Sequence, residues 1–313
     1  MSAIRAAGGG GGSVAPRRAP GKMGGVVDGR SAHRGKWIAS RVTVYVVLGV
    51  GTVVMVLPLM WMIATSLSYS QFANTFPPKL IPTSLRFSNY VDVFTKDAVG
   101  TFLLNSVLIV VPSMIGNVLS SSLAGFALAR LRAPGRRLWF ILTLCTIMMP
   151  YEVTIIPTFI LFRYFHWINT LYPIIVPQVI GSGYSIFLMR QFISSIPREL
   201  DEAAKLDGCG FFGIWRRVIV PLSVPSMVAV AIFNFTYQWG NFLGPLIYIN
   251  EPSRYPLALG LYVMTQTSNV GQEPPWNTIM AGSMLLTVPM VMVYFFGQRF
   301  LYEGSNVLGR VRA

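Results

Sequence analysis

An all-α protein that crosses a membrane six times is the fold class this sequence predicts. Three observations predict it. First, 53% of the 313 residues are hydrophobic and only 12% are charged, with a mean hydropathy of +0.56, too apolar for a soluble domain. Second, six apolar runs have membrane-crossing length, at about 42–64, 102–128, 138–161, 171–189, 222–243 and 278–298. Third, the basic residues are sorted by side. With the N-terminus in the cytoplasm, residues 1–41, 129–137, 190–221 and 299–313 hold 8, 4, 5 and 3 Lys/Arg, 20 in all. The opposite loops hold only Lys79, Arg86, Lys96, Arg163 and Arg254. That asymmetry places both termini in the cytoplasm. It also accounts for a net charge of +14 without any nucleic-acid partner.

Taken in order, residues 1–36 are rich in Gly, Ala and Arg without hydrophobic periodicity, and read as a disordered basic cytoplasmic tail. The run from Val42 to Ala64 is too long for a signal-peptide core and lies too far from the N-terminus, so it reads as a retained span. Every span, or its first turn, carries proline: Pro58, Pro112, Pro150 with Pro157, Pro173 with Pro177, Pro225 and Pro289. Proline frees carbonyls that must be satisfied inside a bundle or a watery cavity, which favours a transporter. Two cysteines and two histidines provide no disulfide framework and no metal site.

The stretch 190–221 is the longest polar interruption in the second half, and the expected spans make it cytoplasmic. Four of the eleven acidic residues fall there: Glu199, Asp201, Glu202 and Asp207. It reads as two short helices. Ser194 or Ser195 caps the first, Pro197 suits an early position, and the acids favour its positive N-terminal end. Ala203 and Ala204 offer a face with little side chain to an approaching partner, and Gly208 is the stop. In the second helix Phe211, Ile214, Trp215, Val218 and Ile219 make one apolar stripe opposite Arg216 and Arg217, as in a helix lying on a membrane surface.

Glu202-Ala203-Ala204, Gly208 and Val218-Ile219-Val220-Pro221 together resemble the EAA loop of ABC importer permeases. The usual ending is I-x-L-P, from which Val218 and Val220 depart mildly. Further stretches resemble the second permease of carbohydrate importers, similar to the smaller maltose-transporter permease. They include Phe76-Pro77-Pro78 through Asn89-Tyr90, Asn105-Ser106, Ala127 to Arg130, Asn169-Thr170, Phe187 to Phe192 and Trp239 to Leu246. The likeness covers roughly 70–313. It implies a type I ABC importer permease fold in a bacterial cytoplasmic membrane, with 190–221 as a coupling loop. Glu202, Ala203, Ala204, Gly208 and Pro221 would then couple to an ATPase. The implied partners are a related permease (as a heterodimer), two copies of an ATPase subunit, an extracytoplasmic substrate-binding protein and membrane lipid. ATP and Mg would be held by the ATPase, since the chain has no phosphate-binding loop and binds no cofactor itself. It is therefore expected not to be an enzyme.

Candidates for the substrate pathway come from the fifth and third spans. Asn234, Tyr237, Gln238 and Asn241 share one helical strip, with Trp239 on the other side. Amides and aromatic rings are the groups that bind sugars, but the same residues serve equally as hydrogen-bonding ties between helices and as an interfacial belt. Many relatives carry Asn where this chain has Gly240. Glu152 is an intramembrane carboxylate, a pathway candidate that Pro150 and Pro157 also make a candidate partner for freed backbone groups. The loop 244–277 is expected to meet the binding protein. An ion-coupled secondary transporter is the alternative reading, and it would need more membrane carboxylates or histidines than Glu152 alone. A membrane enzyme would need a convergent acid/base, nucleophile or metal set, and none is present in the sequence.

Overall fold

The computed structural model describes residues 29–69, 81–82, 85–95, 98–266 and 274–310, with backbone alone for 29–40 and 301–310. Every regular element among the described residues is a helix. Residues 1–28, Phe76-Pro77-Pro78, Lys79, Lys96 and Glu273 lie outside them. The chain divides into two units, 1–56 and 57–313.

In the first unit the only described element is the start of α1 (Gly29–Ser66). Residues 29–36, expected to be tail, are its first turns, because no proline follows Pro20 to interrupt the amide ladder leading into the apolar run. The large apolar side chains of the unit between Val42 and Val56 are exposed, as lipid-facing residues are.

The second unit is built around α3 (Val99–Arg130). It packs against α6 (Tyr172–Val179), α7 (Gly183–Ser195), α10 (Val224–Trp239) and α12 (Leu257–Gln266). The buried face of α3 repeats at three and four residues: Phe102, Asn105, Ile109, Ser113, Asn117, Ser121, Gly125, Ala129. Its small residues allow close approach, since a Cβ on Gly125 would stand 2.8 Å from Met189 Cβ and 2.9 Å from the Arg190 nitrogen of α7. α2 (Ser88–Thr95) packs against α13 (Trp276–Arg310). There the fully buried Asn89 gives its amide hydrogens to the carbonyls of Ser66 and Ser68, and its oxygen accepts from Asn277 at 2.9 Å.

Among the described residues four helical stretches are long and apolar enough to cross a membrane: Arg41–Ser66, Val99–Arg130, Tyr172–Ser195 and Trp276–Phe300. The third expected span is broken, and the fifth, expected over 222–243, starts at a bend and ends at Trp239. α4 (Arg136–Met148) and α5 (Tyr151–Tyr164) meet at 103°, because Pro150 holds Met149 extended between them. Phe211–Leu222, α9, meets α10 at 78° around Ser223. Counting each bent pair as one span gives up to six by length and composition. The remaining described helices are α8 (Glu199–Leu206), α11 (Leu243–Tyr248) and a 3-10 turn at Pro252–Arg254.

Candidate functional site

The polar loop folds into α8 and α9 over the C-terminal end of α3. α8 starts without a side-chain cap: Arg198 occupies the N-cap position. Ser194 and Ser195, the expected caps, end α7 instead, where their hydroxyls donate to the carbonyls of Arg190 and Phe192. The three-residue connection Ile196-Pro197-Arg198 explains the difference, since α8 begins too late for either serine to reach it.

α8 ends where Gly208 was expected to end it. Gly208 has φ +81°, the left-handed region that only glycine enters without steric cost. The Cys209 N–H donates to Ala204 O and the Gly208 N–H to Lys205 O, both at 2.9 Å, the paired bonds of a Schellman stop.

The two alanines part company. Ala203 is exposed, whereas Ala204 is buried in an apolar cluster with Phe126, Ala129, Met189, Ile193, Ile214 and Trp215. The smallness of Ala204 therefore serves packing of the loop onto its own protein. Glu202 is exposed beside Ala203, and Leu206 is 91% exposed. Phe211 and Phe212 add two more exposed apolar side chains at the start of α9.

α9 differs from a uniform surface helix. Trp215–Ile219 forms a π-helical turn, and the extra residue per turn breaks the stripe. Ile214, Trp215 and Ile219 are buried, and the Trp215 indole donates to Ser122 Oγ of α3 at 3.0 Å. Those three residues thus pack on protein, while Phe211, Arg216 and Arg217 are exposed. Pro221 lies in the last turn of α9, three residues before α10 begins.

Asp201 has a role the helix-dipole reading did not contain. Its carboxylate meets the Arg130 guanidinium, Nε to Oδ2 at 3.0 Å, with both side chains almost wholly buried. Arg130 Nη2 also donates to Ile196 O at 2.6 Å.

The strip on α10 splits. Asn234 is buried and donates to Gln178 Oε1 of α6 at 3.1 Å. Gln238 is buried, donating to Ser113 Oγ and Ile174 O and accepting from Asn241. These contacts are ties between helices. Tyr237 is half exposed, and with Gln238 and Asn241 it lines a pocket of about 130 Å³ shared with Tyr151, Thr158 and Tyr248. That volume is below the roughly 300–1,000 Å³ of ordinary ligand pockets. Trp239 packs on the other side, stacked on Phe235 with its indole donating to Leu286 O. Glu152 is exposed in the first turn of α5 and makes no hydrogen bond or ion pair among the described residues. It satisfies no freed carbonyl there. Its charge lies within electrostatic range of the Tyr151 and Tyr237 hydroxyls.

Residues 116–304 match a family described as binding-protein-dependent transport system inner membrane component. The chain belongs to that family. The matched segment contains α8, its Gly208 stop and the whole polar strip. Among its relatives are the arabinooligosaccharides transport system permease protein AraQ of Halalkalibacterium halodurans and the diacetylchitobiose uptake system permease protein NgcG of Streptomyces coelicolor. The first is 33% identical over 73% of this chain and 80% of its own length. The second is 30% identical over 83% of this chain and 85% of its own. A bacterial ABC transporter involved in import of the acidic polysaccharide alginate has a chain that superposes with a TM-score of 0.76. It covers 85% of this chain and 97% of the other at 20% identity, which shows the ABC importer fold.

Several residues of this inner membrane component that carried the resemblance turn out to hold its segment 250–257. Asn105 donates to Ser253 O and Tyr255 O, and Ser106 Oγ accepts from Leu257 N–H. Asn169, at φ +62°, accepts from the amides of Asn250 and Glu251 while its carbonyl receives Arg254. The Arg130–Asp201 and Asn89–Asn277 pairs were missed, because partners 71 and 188 residues apart leave no local pattern. Among the described residues no group of three or more His, Cys, Asp or Glu could hold a metal.

Proposed function

We propose that this chain is a permease subunit of an ATP-driven ABC importer that moves a carbohydrate across the bacterial cytoplasmic membrane, with both termini inside. The carrying observation is the loop 190–221, held from within and presenting Glu202, Ala203, Leu206, Phe211 and Phe212 outward. Exposed apolar side chains interleaved with the charged groups of α8 make a docking surface for another protein. The partner is an ATPase subunit, present in two copies with its ATP and Mg, and a related permease completes the pathway. The substrate-binding protein delivers cargo to the outer face, where loop 249–257 is fastened to α3. No chemistry is done on the sugar: ATP changes which of two states is favoured, and each state opens the path to one side.

Carbohydrate as the cargo draws support from relatives named for arabinooligosaccharides and diacetylchitobiose. Within the path, Tyr237 and Asn241 are the residues of this chain placed to meet it. Glu152 is exposed and follows Tyr151, which lines the same pocket. Gln238 and Asn234 contribute by holding α10 in place. A thermal-shift screen of the cognate binding protein tests the cargo class. Stabilisation by a mono- or oligosaccharide or a polyol is expected. Stabilisation by amino acids, peptides or metal ions alone overturns the carbohydrate reading.

A further inference from the structure

The coupling loop is tied to α3 by more than apolar packing. Arg130 is the last residue of α3, and its guanidinium holds both α8, through Asp201, and the chain entering α8, through Ile196 O. Both side chains are close to fully buried, at 5% and 11% exposure. The Trp215–Ser122 hydrogen bond ties α9 to the same helix two turns away. Ala204, Phe126 and Ala129 fill the space between.

The geometry of the ion pair is not the one stability alone would favour. Arg130 Nε approaches Asp201 Oδ2 without hydrogen-bond alignment, and Asp201 Oδ1 is buried with no partner. A buried pair with an orphaned oxygen stabilises no better than two apolar side chains of the same size. What an apolar pair would lack is direction: it could slide, whereas opposite charges at 3.0 Å fix which residue of α8 faces the end of α3.

At its other end α3 holds the outer loop through Asn105 and Ser106. One uninterrupted helix of 32 residues, about 48 Å at 1.5 Å per residue, therefore grips the coupling loop inside and the outer loop outside.

We propose that the Arg130–Asp201 pair is the strut that makes α8 and α3 move as one body, so that displacement of the coupling loop by ATP reaches the outer loop through α3. Arg130 and Asp201 are positioning residues, acting through α3 and not by touching cargo or nucleotide. The inference rests on the coupling role of α8 given above.

The test is a spin-label distance measurement on the assembled transporter in lipid nanodiscs, with the native cysteines replaced by alanine. Labels sit on α3 and at the end of α8, at Leu123→Cys and Asp207→Cys, both exposed positions. Distances are compared without nucleotide and after trapping with ATP and vanadate. With the pair intact the separation should change by less than about 2 Å, within ordinary helix shifts. With Asp201→Asn the distribution should broaden and the two states should separate. The swap Arg130→Asp with Asp201→Arg should narrow it again. A separation that differs between states with the pair intact overturns the strut, as does an Asp201→Asn distribution identical to it. So does failure of both the single and the swapped variants to assemble, which would make the pair a folding element only. If no ATPase subunit assembles with the unmodified chain, the coupling reading itself fails, and the strut with it.

Discussion

Gln238 spends its whole amide on the protein: two donated bonds and one accepted, to three different segments. Gln238→Leu leaves Ile174 O and the Asn241 amide unpaired in a buried site, which costs about 1–2 kcal/mol in a membrane bundle. The expected result is a lower unfolding temperature in detergent. Tyr237→Phe, at a half-exposed ring, should leave that temperature unchanged while lowering uptake, because it removes only a hydroxyl facing the pocket. Reversed effects would make Gln238 the sugar ligand. At this scale the sequence was legible where the signal is local. Gly208 announces a left-handed stop whatever the fold around it. The division of labour between Gln238 and Tyr237 was not legible, because adjacent residues on one strip differ only in what the neighbouring helices put opposite them.

Among elements, α8 shows how far composition carries. Its acid-rich start, its alanines and its glycine stop are all readable from the stretch Glu199 to Gly208. Its anchorage is not, since Arg130 lies in another helix. Gly208 stands in open space, so a side chain there meets no atom and suffers only backbone strain. Gly208→Val should cost about 1–2 kcal/mol. That should speed hydrogen exchange at the Gly208 and Cys209 amides by about tenfold or more if opening is local. Unchanged exchange would mean the stop is not maintained by glycine. The two bent pairs mark the opposite limit. Hydropathy counts apolar residues without regard to direction, so 138–161 reads as one span although Pro150 turns it through 103°. The π turn in α9 was hidden for the same reason: a helical stripe assumes 3.6 residues per turn throughout.

For the whole molecule, the long, small-residue face of α3 organises everything that faces the site. It receives α6, α7, α10 and α12 along its length, the loop 190–221 at one end and the segment 250–257 at the other. The family resemblance was carried by residues scattered from Phe76 to Leu246, and several of them prove to be the fastenings of this arrangement. Asn89, Asn105, Ser106 and Asn169 bind backbone across long sequence separations. The measurement that tests the central claim most directly is uptake by vesicles carrying the complete transporter with Glu202→Ala. Glu202 is exposed on α8 and meets no buried partner of its own chain, so its loss should leave insertion and folding intact. If it pairs with a cation of the ATPase, truncation at that interface should reduce uptake by at least about tenfold. Uptake at the unmodified level, with normal substrate-stimulated ATP hydrolysis, would contradict the coupling role of the loop.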